Sequence, residues 1–229
     1  MMGSLQTLWN SIDWSMLTDI ITRLLAVLLC LTVHETAHGL AAYALGDPTA
    51  KAMRRLSLNP LHHIDWLGLM CMLIAGFGWA KPVPVDMRYF KNPKRGMALS
   101  ALAGPVSNFL FASLCLLIVR FFGNGVVATA FTVWFFDFLL VLVLMNLGLG
   151  LFNLLPIPPL DGSKVLFSLL PDRAYLKLMR YERYGMIVLV VLLMTGALDG
   201  LLGLMRGWVT GLTEPVGAWA FYLIQSFYF

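Results

Sequence analysis

Residues 34–38 read His34-Glu35-Thr36-Ala37-His38, and they lie inside an apolar run from about Leu17 to Leu45. That run is long enough to cross a bilayer as a helix. On a helix, side chains four apart share a face, so His34 and His38 point the same way. Two imidazoles at this spacing suit one Zn²⁺ ion, and the Glu between them is placed to handle a proton from water. An ionisable group at membrane depth costs roughly 3 kcal/mol or more and usually serves a function. Three such groups fall here within five residues, in a chain with only four His.

The surrounding composition sets the fold class. Of 229 residues, 59% are hydrophobic and only 12% charged, with mean hydropathy +0.80. A soluble domain needs a far more polar surface. The sequence predicts an all-α, polytopic transmembrane bundle formed by residues 1–229 as one membrane-embedded domain. The expected core covers about 17–175, with C-terminal helices over 184–229. The net charge of +4 does not point to nucleic acid, because the basic residues cluster between apolar segments as juxtamembrane residues do. Cys30, Cys71 and Cys115 form no CxxC pair and are expected as buried free thiols. The first fifteen residues lack Lys and Arg, so no cleavable leader is expected.

Five to six spans are expected. Gly46-Asp47-Pro48 ends the first. Residues 66–80 are apolar but short, as in a re-entrant segment. Residues 81–85 read Lys-Pro-Val-Pro-Val. Their prolines exclude a helix interior and suit an edge strand or extended loop, so 66–89 is expected to be re-entrant or β-like. Further spans are expected at 97–122, 131–153 and 184–205. Residues 208–229 are either a sixth span or an interfacial segment. Half of the sixteen basic residues fall in 46–95, and Arg173, Lys177, Arg180 and Arg183 fall in 171–183. Lys and Arg favour the cytoplasmic side, which predicts a cytoplasmic-membrane protein with its N-terminus outside. From Leu17 to His34 is roughly 25 Å of helix, so the histidines lie within the lipid, nearer the cytoplasmic face.

Catalytic zinc sites usually take three protein ligands and leave one position open. His62 and His63, the other two histidines, sit in a polar loop and read as interfacial. Residues 153–162 read Asn-Leu-Leu-Pro-Ile-Pro-Pro-Leu-Asp-Gly. Three prolines break the helix there, and broken backbone at membrane depth requires a protein or aqueous lining. Asp161 emerges from that break at the depth of the histidines. It is the candidate third ligand, with a helix N-cap as the competing reading. Ser107, Asn108 and Asn146 read as interhelical hydrogen-bonding residues, and Gly104-Pro105 as a packing or bend element.

These two motifs, with Phe77-Gly-Trp-Ala-Lys-Pro-Val-Pro-Val85 and Ala103-Gly-Pro-Val-Ser-Asn108 between them, resemble the site-2 protease family of intramembrane zinc metalloproteases. The resemblance covers about residues 20–175 and matches the family's compact form, without room for a PDZ or CBS domain. It implies one Zn²⁺ held by His34, His38 and Asp161, with Glu35 as general base. It also implies Asn153 as a donor to the oxyanion, against the competing role of binding a carbonyl freed at the kink. The implied substrate is a transmembrane segment of another protein, unwound before cleavage, in the lipid bilayer. Residues 81–85 would offer it a strand edge. The choice between monomer and homo-oligomer stays open. Two other classes compete. A metal transporter should spread polar groups across the depth, whereas these gather at one level. A catalytically inactive relative that binds membrane segments should lack the acid that Glu35 supplies.

Overall fold

The computed structural model describes residues 14–75, 80–122 and 126–211. They are all-helical, and no strand occurs among them. Helix α1 spans Trp14–Ala44, and a single turn, α2, spans Thr49–Ala52. The short α3 covers Trp66–Ala75, and the long α4 covers Pro93–Phe122. Helix α5 runs over Ala130–Asn153, α6 over Asp161–Ser168 and α7 over Asp172–Tyr181. Gly185–Met194 forms α8 and Asp199–Gly211 forms α9.

Helices α1, α4 and α5 are each long and apolar enough to cross a membrane. Small residues let them approach closely, as membrane packing requires. Ala26 and Cys30 of α1 meet Ala112 and Cys115 of α4, with Leu139, Leu142 and Val143 of α5 completing the cluster. The Trp134 indole donates to Thr22 Oγ1 at 3.0 Å, tying α5 to α1. Outward faces carry Leu110, Leu114, Leu117 and Phe121 exposed, which suits lipid rather than water. The protein is an integral membrane protein. Cys30 and Cys115 are buried free thiols, as expected, and Cys71 is half-buried.

Three expectations need correction. The stretch 184–205 is not one straight span, because α8 and α9 meet at 84°. Gly196 has φ +70°, its N–H bonds Leu193 O, and Ala197 N–H bonds Leu192 O. This is the glycine-terminated helix end in which a left-handed residue closes the last carbonyls. With that pair taken as one, the described residues hold up to four spans; residues 212–229, most of the sixth candidate, lie outside them. Among the described residues of 66–89, the ten-residue helix Trp66–Ala75, irregular chain at 80–86 and a 3-10 turn at Met87–Tyr89 occur, and no β element. At about 1.5 Å per residue α3 is too short to cross, as expected of a re-entrant piece. Asp65 Oδ1 accepts the Gly68 N–H and caps it. Pro82 and Pro84 have no N–H to offer a ladder, and neighbouring groups use most of the other amides. The third correction concerns His63, which is buried at 3% exposure rather than interfacial.

Candidate metal centre

Helix α1 presents His34, Glu35 and His38 from one end, as their spacing requires. The chain then turns at Gly46, whose φ of +106° suits glycine. The fully buried Asp47 pins this turn: its carboxylate accepts the Thr49 hydroxyl and N–H and, at 2.7 Å, the Asp86 N–H. Helix α4 returns antiparallel along α1. Helix α5 ends at Asn153, and the Pro-rich break at 154–160 delivers Asp161 to the first turn of α6. The cap position of α6 is Leu160, with no side-chain cap bond, so Asp161 is not the N-cap.

The Asp161 carboxylate instead faces the imidazoles. Its Oδ2 lies 3.2 Å from His34 Nε2 and 3.1 Å from His38 Nε2, and the two Nε2 atoms are 3.0 Å apart. All three residues are buried. His38 Nδ1 sits 2.8 Å from the Ser100 carbonyl, which only accepts, so Nδ1 carries the proton. His38 Nε2 in the neutral ring is then a bare lone pair aimed at a carboxylate oxygen. Two acceptors at that distance are favourable only with a positive charge between them, either a proton on Nε2 that the ring donates to the carboxylate or a metal ion. Ligands about 2.0–2.1 Å from a tetrahedral Zn²⁺ lie about 3.3 Å from one another, close to the triangle seen here. Two imidazoles and one carboxylate form the donor set of a catalytic zinc site with one position left open. These three residues could hold the ion.

Burial works against a charged Asp161, but the two imidazoles and the Lys164 ammonium outweigh it. They hold its carboxyl well below the usual carboxylate range, so it is an anion at neutral pH. Lys164 Nζ is 3.7 Å from Asp161 Oδ1 and 3.8 Å from Glu182 Oε1. Glu35 Oε2 accepts the Val83 N–H at 2.8 Å, which binds the Pro-rich strip to α1. Asn153 lies beside the site, and its amide donates to Leu149 O at 3.0 Å, one turn back within α5. A cavity of about 440 Å³ opens over the cluster, lined by Glu35, Val85, Asn153, Lys164, Met179 and Glu182 among others.

Sequence reasoning missed what supports the histidines. Ser100 holds both ends of His38: its carbonyl takes Nδ1–H, and its hydroxyl donates to His38 O at 3.1 Å. Gly104, one turn on, lies directly against the rings; a Cβ there would fall on His38 Cε1 and within 2.6 Å of His34 Cε1. Gly162 performs a similar service for Asp161, since a Cβ there would fall on the Leu154 carbonyl. The available signal was a small residue every fourth position on α4, Ser100 then Gly104. His62 and His63 join no metal-binding cluster among the described residues.

Residues 22–196 match Peptidase family M50. "Putative zinc metalloprotease YwhC" of Bacillus subtilis is 42% identical over 174 residues, covering 75% of this chain and 79% of that protein. "Putative zinc metalloprotease Rip2" of Mycolicibacterium smegmatis is 33% identical over 177 residues, covering 75% and 66%. Rip2 of Mycobacterium tuberculosis (strain H37Rv) is 31% identical over 180 residues, covering 76% and 66%. No solved structure matches the chain. With the extent of that match, the sequence likeness and a buried two-histidine, one-carboxylate cluster all in agreement, the chain belongs to Peptidase family M50, the site-2 protease family, and is a zinc metalloendopeptidase of the membrane.

Proposed function

We propose that this enzyme cuts other membrane proteins within or beside their transmembrane segments. The observation that carries the reading is the buried triangle of His34, His38 and Asp161 inside a bundle whose outer faces are apolar and exposed. A water-soluble substrate has no path along such faces, whereas a membrane segment already lies against them.

His34, His38 and Asp161 ligate the ion. Zinc, when bound, lowers the pKa of its water to about 7 and polarises the scissile carbonyl. Glu35 takes the proton of the attacking water and returns it to the leaving amine. Its Val83 hydrogen bond occupies Oε2 and fixes the carboxylate, leaving Oε1 for the proton. The Asn153 amide has two N–H bonds; one is spent on Leu149 O, and the other serves the oxyanion of the tetrahedral intermediate.

The 81–86 strip offers an extended substrate little edge. Lys81 N–H binds His63 O, Val83 N–H binds Glu35 and Asp86 N–H binds Asp47. Arg55 takes the Lys81 and Pro82 carbonyls. Val85 N–H is the one amide of 81–86 without a partner among the described residues, so pairing here amounts to a rung or two rather than a ladder. The basic residues of 46–95 and 171–183 support an orientation with the site toward the cytoplasm and the N-terminus outside.

The test is Glu35→Gln in purified protein given a membrane-spanning reporter. Zinc content should stay at the wild-type level while cleavage falls below detection. Full cleavage by that variant would remove Glu35 from the mechanism, and a wild-type protein that cuts no membrane reporter would remove the substrate class.

A further inference from the structure

A second cavity, about 350 Å³, lies between α1 and α5 outside the metal cluster. Its size falls in the range that holds organic groups rather than single waters. Three of its walls lie close along the chain to residues of the catalytic cavity, although the two share no lining residue among those described. On α1 the wall is Leu28 and Leu31, and Glu35 follows Leu31 by one turn, about 6 Å along the axis. On α5 the wall ends at Phe152, the neighbour of Asn153. On the third side it is Ala80, from which the chain runs through Lys81 to Val83, the residue bonded to Glu35. The α1 wall lies on the N-terminal side of the histidines, toward the bilayer interior.

Among the described residues the lining is apolar apart from His63 and Asp65. Asp65 Oδ1 caps α3. His63 Nε2 donates to the Ser57 carbonyl at 2.8 Å, and the ring is buried. The apolar side chains of an unwound membrane segment match such walls. Gly148 of α5 lines the same cavity, and nothing lies within 4 Å of where its Cβ would be.

We infer that this cavity is the side-chain subsite for residues flanking the scissile bond on the bilayer side. The inference rests on the reading of the metal centre as a protease acting on membrane segments. It makes the protein a size-selective enzyme whose preference is set between α1 and α5, a turn away from the chemistry.

The experiment fills the cavity. Wild type, Gly148→Leu and Gly148→Phe are purified and given liposomes holding a library of membrane-spanning reporters with randomised apolar residues. Cut positions are read by mass spectrometry, and zinc per chain is measured on the same samples. The expected result is unchanged zinc and a change in preference at one flank from Leu, Met and Phe toward Ala and Gly. The shift should be at least about tenfold for the Phe variant and smaller for Leu. An identical size profile in all three proteins overturns the inference. So does a phospholipid that co-purifies with wild type and is lost from Gly148→Phe while the profile stays fixed. If wild type cuts nothing, the protease reading itself fails, which the same data separate from failure of the subsite.

Discussion

Two glycines on neighbouring helices show how differently the two flanks of α1 are built. Gly104 of α4 is pressed against the histidine rings, so that a single added carbon would collide with them. Gly148 of α5 faces a void, with nothing within 4 Å of the same imagined carbon. On the α4 flank, small residues bring the backbones together and hold imidazoles in one orientation. On the α5 flank, the same lack of a side chain leaves room. One helix thus carries a rigid wall for the metal on one side and space for a guest on the other.

Adding a methyl group at each glycine tests that contrast most severely. Gly104→Ala should lower zinc affinity by about 100-fold or more, since changes to residues that merely orient ligands already cost 10- to 100-fold. Metal analysis after dialysis against a graded chelator measures it. Gly148→Ala should leave zinc content unchanged and thermal stability within about 0.5 kcal/mol of wild type. Equal effects from the two changes would erase the distinction.

Acidification probes the closed flank alone. Zinc ligation requires a free lone pair on each imidazole, so protons compete with the ion and zinc retention should fall as pH drops from about 7 toward about 5. Asp161, held below the usual carboxylate range, remains an anion through that window and contributes no part of the loss. Asp161→Asn should therefore weaken zinc at every pH without changing where the fall occurs. A midpoint displaced by that substitution would mean that the carboxyl titrates with the histidines.

The smallest effect is expected at Ser100. Its carbonyl, which no side-chain change removes, holds His38 Nδ1, while its hydroxyl binds a carbonyl that the helix serves in any case. Ser100→Ala should cost about 1 kcal/mol of stability and leave zinc bound. Loss of zinc in that variant would transfer the orienting role from backbone to side chain.

Much of this was legible in the residues themselves. His34, Glu35 and His38 declare themselves by spacing within one helix, which depends on nothing beyond helical geometry. Asp161 required only that a proline-broken segment at matching depth bring an acid to the same level. Ser100 was hidden, and Gly104 was legible as a packing residue but not as a neighbour of the histidines, because both roles depend on the register of α4 against α1, a tertiary property that neither helix encodes alone. The bend after α8 was written in Gly196, but a window average of hydropathy runs across it without notice. The strip at 81–86 was read correctly as non-helical, with edge strand and extended loop both left open; the loop holds because the partners of its amides and carbonyls come from distant positions such as Asp47 and Arg55. His63 looked polar and peripheral in a loop, and only the fold of residues 57–65 over α1 encloses it.

The bond from Val83 N–H to Glu35 has a genetic consequence. A main-chain donor does not depend on the side chain that rides on it, so replacements at this buried position that keep its apolar bulk keep the grip on the acid. Proline is the exception at that position. Val83→Pro would stay apolar and of similar size yet delete the donor outright and unfasten the carboxylate.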